Sequence, residues 1–126
     1  MKVSRVRALR GPNLWTRHTA IEAIVSCAAP ECMLDHIAGF EARVRARFPA
    51  IGALHAASQQ RPKSLAHVLE VAALALQAQA GCPVTFSRTS PTVDPGVYQV
   101  VVEYSAEEVG RQALDLAQEL IRAEMH

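Results

Sequence analysis

Apolar and polar residues alternate most clearly in VYQVVVEY, residues 97–104. Tyr98, Val100, Val102 and Tyr104 fall on one face and Val97, Gln99, Val101 and Glu103 on the other, which predicts a strand. A different period governs the segment that follows. Val109, Ala113, Leu116 and Leu120 recur at steps of three and four, which predicts a helix over about 106–124. The same spacing joins Met33, Ile37, Phe40, Val44 and Phe48, a second helical face stopped by Pro49. A third helix is expected over 64–80, with Ser64 as N-cap, Leu65, Leu69, Ala72 or Ala73 and Leu76 as its stripe, and Gly81 as its stop. Leu69, Ala73 and Leu76 are expected to face the sheet. Glu70 is the only charge between Val68 and Leu76, so this helix is expected to be the most buried. Residues 2–9 and PVTFSR near 83–89 read as short strands, and SPTVDPG as the connection after the latter. TAIEAIVSCA at 19–28 stays open from its pattern alone: the alanines favour helix, the Ile-Ile-Val cluster strand.

Strands and helices in this order give a two-layer α+β domain: a four-stranded, mostly antiparallel sheet with three helices. The chain has 126 residues, half of them hydrophobic and a fifth charged. That fits a single domain over 1–126 with a real core.

Thirteen basic residues against twelve acidic ones give a net charge of +1. This argues against a dedicated nucleic-acid binder. No apolar run is long enough to span a membrane, and MKVSRVRALRGPN lacks the apolar centre of a secretory signal. Cys27, Cys32 and Cys82 are odd in number and have no C-x-x-C spacing. They read as free, mostly buried thiols of a cytoplasmic protein.

The chemistry-bearing motif lies in the 64–80 segment. His67-Val68-Leu69-Glu70-Val71 is H-x-x-E followed by valine, where the inverted-zincin motif H-x-x-E-H has a second histidine. A hydrolytic zinc site needs about three protein ligands and an open water position. Valine supplies no donor. His67 and Glu70 therefore read as hydrogen-bonding residues and a vestige of such a site. Rebuilding it would need His36, His55 or Cys82, and nothing in the sequence brings these near. No metal and no cofactor is expected.

RALRGPNLW at 7–15, AHVLEVAALALQAQAG at 66–81, FSRTSPTVDPGVYQVVVEY at 86–104 and EEVGRQA at 107–113 together resemble the N-terminal domain of cyanophycin synthetase. The resemblance covers nearly the whole chain and is poorest over 28–62. It implies that 19–28 is a strand. Cyanophycin synthetases build a polyaspartate chain with arginine on each side-chain carboxylate. Their N-terminal domain holds the polymer, and in some members it also resembles inverted zincins and cuts polymer into primers. Measured against that pattern, Val71 and Ala75 stand where further ligands are expected. No phosphate-binding glycine loop of the G-x-x-x-x-G-K-[ST] kind is present, so the resemblance does not make this chain a synthetase.

The resemblance implies a non-catalytic binding module for cyanophycin or a related Asp/Arg polymer, or for a separate synthetase. The alternatives are a metal-dependent hydrolase with altered ligands and a truncated remnant. Enzymatic activity is left open, with the balance against it. The candidate binding residues are Arg88 and Glu103 on the two best-matched strands, Arg43 in the run Arg43, Arg45 and Arg47, and Trp15 after the GPN turn. Arg5, Arg7 and Arg10 add a basic group near the N-terminus. Arginine grips carboxylates in a two-pronged geometry; the plainer roles are a cross-strand ion pair, a solvated helix face and an aromatic lid on the core.

Overall fold

A computed structural model describes residues 1–10, 19–27, 46 and 65–124. Four strands, β1 (Lys2–Leu9), β2 (Ala20–Ser26), β3 (Ser87–Pro91) and β4 (Val97–Glu103), form one sheet in the order β1-β2-β4-β3. All three pairings are antiparallel. Two helices are described, α1 (Leu65–Gln79) and α2 (Glu107–Glu124). The helix expected over 33–48 lies outside the described residues, except for Ala46, which is helical. The α+β architecture follows the pattern, and residues 20–26 are strand rather than helix. One strand is displaced from its expected place: β3 starts at Ser87 rather than 83. Pro83 has no N–H to give a ladder, and only Phe86 reaches toward β4, its carbonyl accepting from Glu103 N at 2.9 Å.

The helices cover one face of the sheet. On that inner face Tyr98, Val100 and Val102 of β4 stand in register with Val25, Ala23 and Ile21 of β2. Val25, Val100 and Leu69 are essentially solvent-free, and burying each such side chain is worth roughly 1.5–3 kcal/mol. α1 is buried on almost every side, ten of its fifteen residues being inaccessible, because it packs on β3 and β4 with α2 against its flank. Leu69 and Ala73 are fully buried and Leu76 is half-buried against the core. Its end is a Schellman cap: Cys82 N donates to Gln77 O at 2.9 Å and Gly81 N to Ala78 O at 3.1 Å. The cap needs a left-handed residue, which Gly81 supplies at φ 83°.

α2 uses a different stripe from the one its pattern suggested. Ala113 is buried as expected, but Leu114, Ala117 and Ile121 are its buried partners, whereas Leu116 is 45% exposed. Gly110 accounts for the rotation. A Cβ there would stand 2.7 Å from the Cβ of Tyr104 and 3.1 Å from Cδ1 of Ile21, so the helix backbone rests directly on the sheet at that point. Cys27 and Cys82 are half-buried, more accessible than expected; Cys32 lies outside the described residues. No helix among the described residues is long and apolar enough to cross a membrane.

Candidate functional site

Position 67 and position 70 are one helical turn apart, so α1 presents His67 and Glu70 on neighbouring ground near its start. The His67 ring meets the ring of Tyr98 edge-on, with centroids 6.3 Å apart and planes at 68°. Glu70 is buried, 6% exposed, against the inner hydroxyls of β3. Burial raises its carboxyl from 4.5 to about 7, and hydrogen bonds with Ser87 and Thr89 pull partly in the opposite direction. Its Oε2 has no hydrogen-bond partner. Thr89 Oγ1 also lies 3.4 Å from the Ala66 carbonyl. Ser87 and Thr89 share a parity that places them opposite Val102 and Val100, on the helix side of the sheet. The pair thus ties α1 to an edge strand.

The donor set does not fit a metal ion. Val71 is half-buried against the core and Ala75 is 1% exposed within it; neither side chain has a lone pair to offer. Among the described residues no three His, Cys, Asp or Glu side chains come together in a way that could hold a metal. Cys82 lies just beyond the far end of α1 from His67; His36 and His55 lie outside the described residues.

The second candidate region is the opposite face of the sheet. Arg7 pairs in register with Glu22, Glu22 with Val101, and Val101 with Arg88, one continuous row across all four strands. Glu103 sits two residues along β4 from Val101, hence on the same face. Glu22 joins two strands: its Oε1 accepts from Arg7 Nε at 2.9 Å and its Oε2 from Gln99 Nε2 at 3.0 Å. The centre of the row is covered, with Val101 buried and Glu22 nearly so, while Arg7 is exposed at its end. Arg88 is exposed on the edge strand, where its Nε donates to Ser90 Oγ at 3.1 Å. Glu103 is half-buried, and its Oε2 accepts from Phe86 N at 3.1 Å. Arg88, opposite Val101, and Glu103 are therefore on one face. Arg43, Arg45, Arg47 and Trp15 lie outside the described residues.

Arg7 reaches this face only because β1 is bulged. Ser4 pairs with Ile24 but Arg7 with Glu22, one residue more on β1 than on β2, and Arg5 sits at φ 51° within the extra turn. The bulge reverses the parity of the strand. Sequence reasoning missed the Arg7–Glu22–Gln99 cluster for that reason. The one legible signal was Glu22, a lone charge alternating with Ile21 and Ala23 in AIEAIVS.

A family model for the cyanophycin synthase-like N-terminal domain matches residues 24–126. The cyanophycin synthetases of Trichormus variabilis and of Nostoc sp. are each 34% identical to this chain over 125 residues, covering 90% of it and 14% of their own length. That of Synechocystis sp. is 29% identical over 150 residues, covering 98% of the chain and 16% of its own. The chain spans about a seventh of the length of the curated relatives it matches.

Proposed function

Since the chain belongs to the cyanophycin synthase-like N-terminal domain family, we propose that it is a non-catalytic binding module for an Asp/Arg polymer such as cyanophycin, or for a synthetase that makes one. The observation that carries this reading is the charged sheet face. Arg7, Glu22, Arg88 and Glu103 place both signs in one cross-strand row and its neighbour. A polymer with a guanidinium and a carboxylate on each repeat presents the matching pair of signs. Arg88, on the exposed edge, is the residue best placed to meet a ligand carboxylate, and Glu103 a ligand guanidinium. A hydrolytic role is the weaker reading, because two expected ligand positions hold Val71, packed against the core, and Ala75, inside it.

Net charge gives little long-range attraction between a zwitterionic polymer and a chain of charge +1. Exposed ion pairs contribute only about 0.2–1 kcal/mol each. Several must act together, so affinity is expected to be micromolar or weaker and to grow with oligomer length. It is expected to fall with salt, since charges are screened beyond roughly 8 Å at physiological ionic strength. The test is an NMR titration with short Asp/Arg dipeptide-repeat oligomers, using wild type and Arg88→Ala. Arg88 is exposed, so the variant is expected to stay folded and to bind more weakly. Shifts that ignore oligomer length, salt and Arg88→Ala alike sink the polymer-binding reading.

A further inference from the structure

The helix layer carries a second surface, unrelated to the charged sheet face. Between the end of α1 and the first half of α2 runs a groove of about 300 Å³, lined by Leu76, Ala80, Val109, Ala113 and Leu116 together with Gln79 and Gln112. Leu116 is 45% exposed on it. An exposed leucine continuous with an open, mainly apolar groove is more than the singly scattered apolar residue that ordinary surfaces carry.

The charges beside the groove are sorted by sign. Each residue of an α-helix turns by about 100° from the last. Passing round α2 away from Leu116, the order is Gln112, Glu119, Glu108 and Asp115, and only then Arg122 and Arg111. Glu108, Asp115 and Glu119 are exposed, and Gln112 Nε2 reaches Glu108 Oε1 at 3.4 Å on the rim itself. The acidic rim is about 16 Å long at 1.5 Å per residue, three turns of helix. The groove's other wall is the C-terminal end of α1, which has no basic residue in its last turn. A helix C-terminus is the negative pole of its dipole, and among the described residues no basic side chain lines the groove, so the charge nearest it is the acidic row of α2.

From this complementarity we infer that the groove docks a basic amphipathic helix of a partner protein. Its apolar stripe enters beside Leu116, and its lysines or arginines lie along Glu108, Asp115 and Glu119. A helix suits a channel between two helices, where side-chain rows of one fill the furrows of the other. A second copy of this chain suits it poorly, because a two-fold axis would bring the acidic rim against itself. The inference does not depend on the polymer reading, whose residues lie across the sheet.

The probes are two synthetic amphipathic peptides of about 18 residues with the same leucine stripe, one flanked by Lys and Arg and one by Glu. Each is titrated into the ¹⁵N-labelled chain. The basic peptide is expected to bind at least about tenfold more tightly, with shifts centred on Leu76, Val109, Ala113 and Leu116. The exposed-site variant Leu116→Gln is expected to weaken it about fivefold or more. Reversing the rim with E108K, D115K and E119K together is expected to swap the preference to the acidic peptide. Equal affinity for the two peptides, an unchanged preference after the reversal, or shifts centred elsewhere overturns the inference. So does concentration-dependent self-association that Leu116→Gln abolishes, which assigns the groove to a second copy.

Discussion

Gln77 Nε2 donates to the Glu103 carbonyl at 2.9 Å, fastening a wholly buried side chain of α1 to the last residue of β4. The amide's other end is unmatched: Gln77 Oε1 is buried without a hydrogen-bond partner. The two ends pull in opposite directions. Gln77→Ala loses the bond and opens a cavity, and is expected to cost about 2–3 kcal/mol. Gln77→Met fills nearly the same volume and removes the unmatched oxygen along with the bond, so it is expected to cost less than about 1 kcal/mol. Urea denaturation of both variants checks this; equal losses would mean the hydrogen bond, rather than the filled volume, dominates.

Glu70 makes stability depend on pH in an unusual direction. Its folded carboxyl titrates near 7 rather than 4.5 because it is buried. In the window between those values the folded state holds a proton that the unfolded state has released. The contribution is therefore complete below about 4.5 and is lost as pH rises through about 7. A shift of this size corresponds to about 3 kcal/mol at 1.36 kcal/mol per unit. Glu70→Gln keeps a neutral hydrogen-bonding group there and is expected to remove the loss. Unfolding free energies of wild type and Glu70→Gln at pH 5, 6, 7 and 8 give the comparison. Parallel pH profiles for the two would contradict the burial argument.

Gly110 sets the distance between α2 and the sheet. Alanine there would gain about 1 kcal/mol in helix propensity. Against this, its methyl would stand 2.7 Å from the Tyr104 Cβ, an atom held by the backbone. Overpacking of this kind costs about 1–3 kcal/mol. Gly110→Ala is expected to lower the melting temperature on balance, which thermal unfolding by circular dichroism checks. A higher melting temperature would show that α2 can lift off the sheet at no cost.

Much of the fold is legible in local chemistry. The alternation of β4 is clear because one face meets the helices and Val100, Val102 and Tyr104 must be buried. Gly81 ends α1 because a capped helix needs a left-handed residue at that point. Of the candidate site, the period of β4 puts Glu103 on the face of Val101, but only the register with β3 adds Arg88 to that face. The surroundings of Glu70 were not legible, since Ser87 and Thr89 are brought to it from another element. That Val71 and Ala75 offer no donor atom was readable, because valine and alanine lack one wherever the chain places them.

The sequence by itself determined which segments are strands and helices wherever one period dominates, and which residues have the chemistry to act. Only the tertiary structure decided phase and parity. α2 carries two rows with helical spacing, Val109–Ala113–Leu116–Leu120 and Ala113–Leu114–Ala117–Ile121, which share Ala113. Both satisfy a period of 3.6, and the close approach at Gly110 selects the second, leaving Leu116 outside. In β1, unbroken alternation would put Val3, Arg5 and Arg7 on one face. The bulge at Arg5 instead sends Arg7 across to Glu22 while Val3 and Ala8 stay opposite Val25 and Ile21. A period says which residues share a face, but contacts with distant residues determine which face is buried.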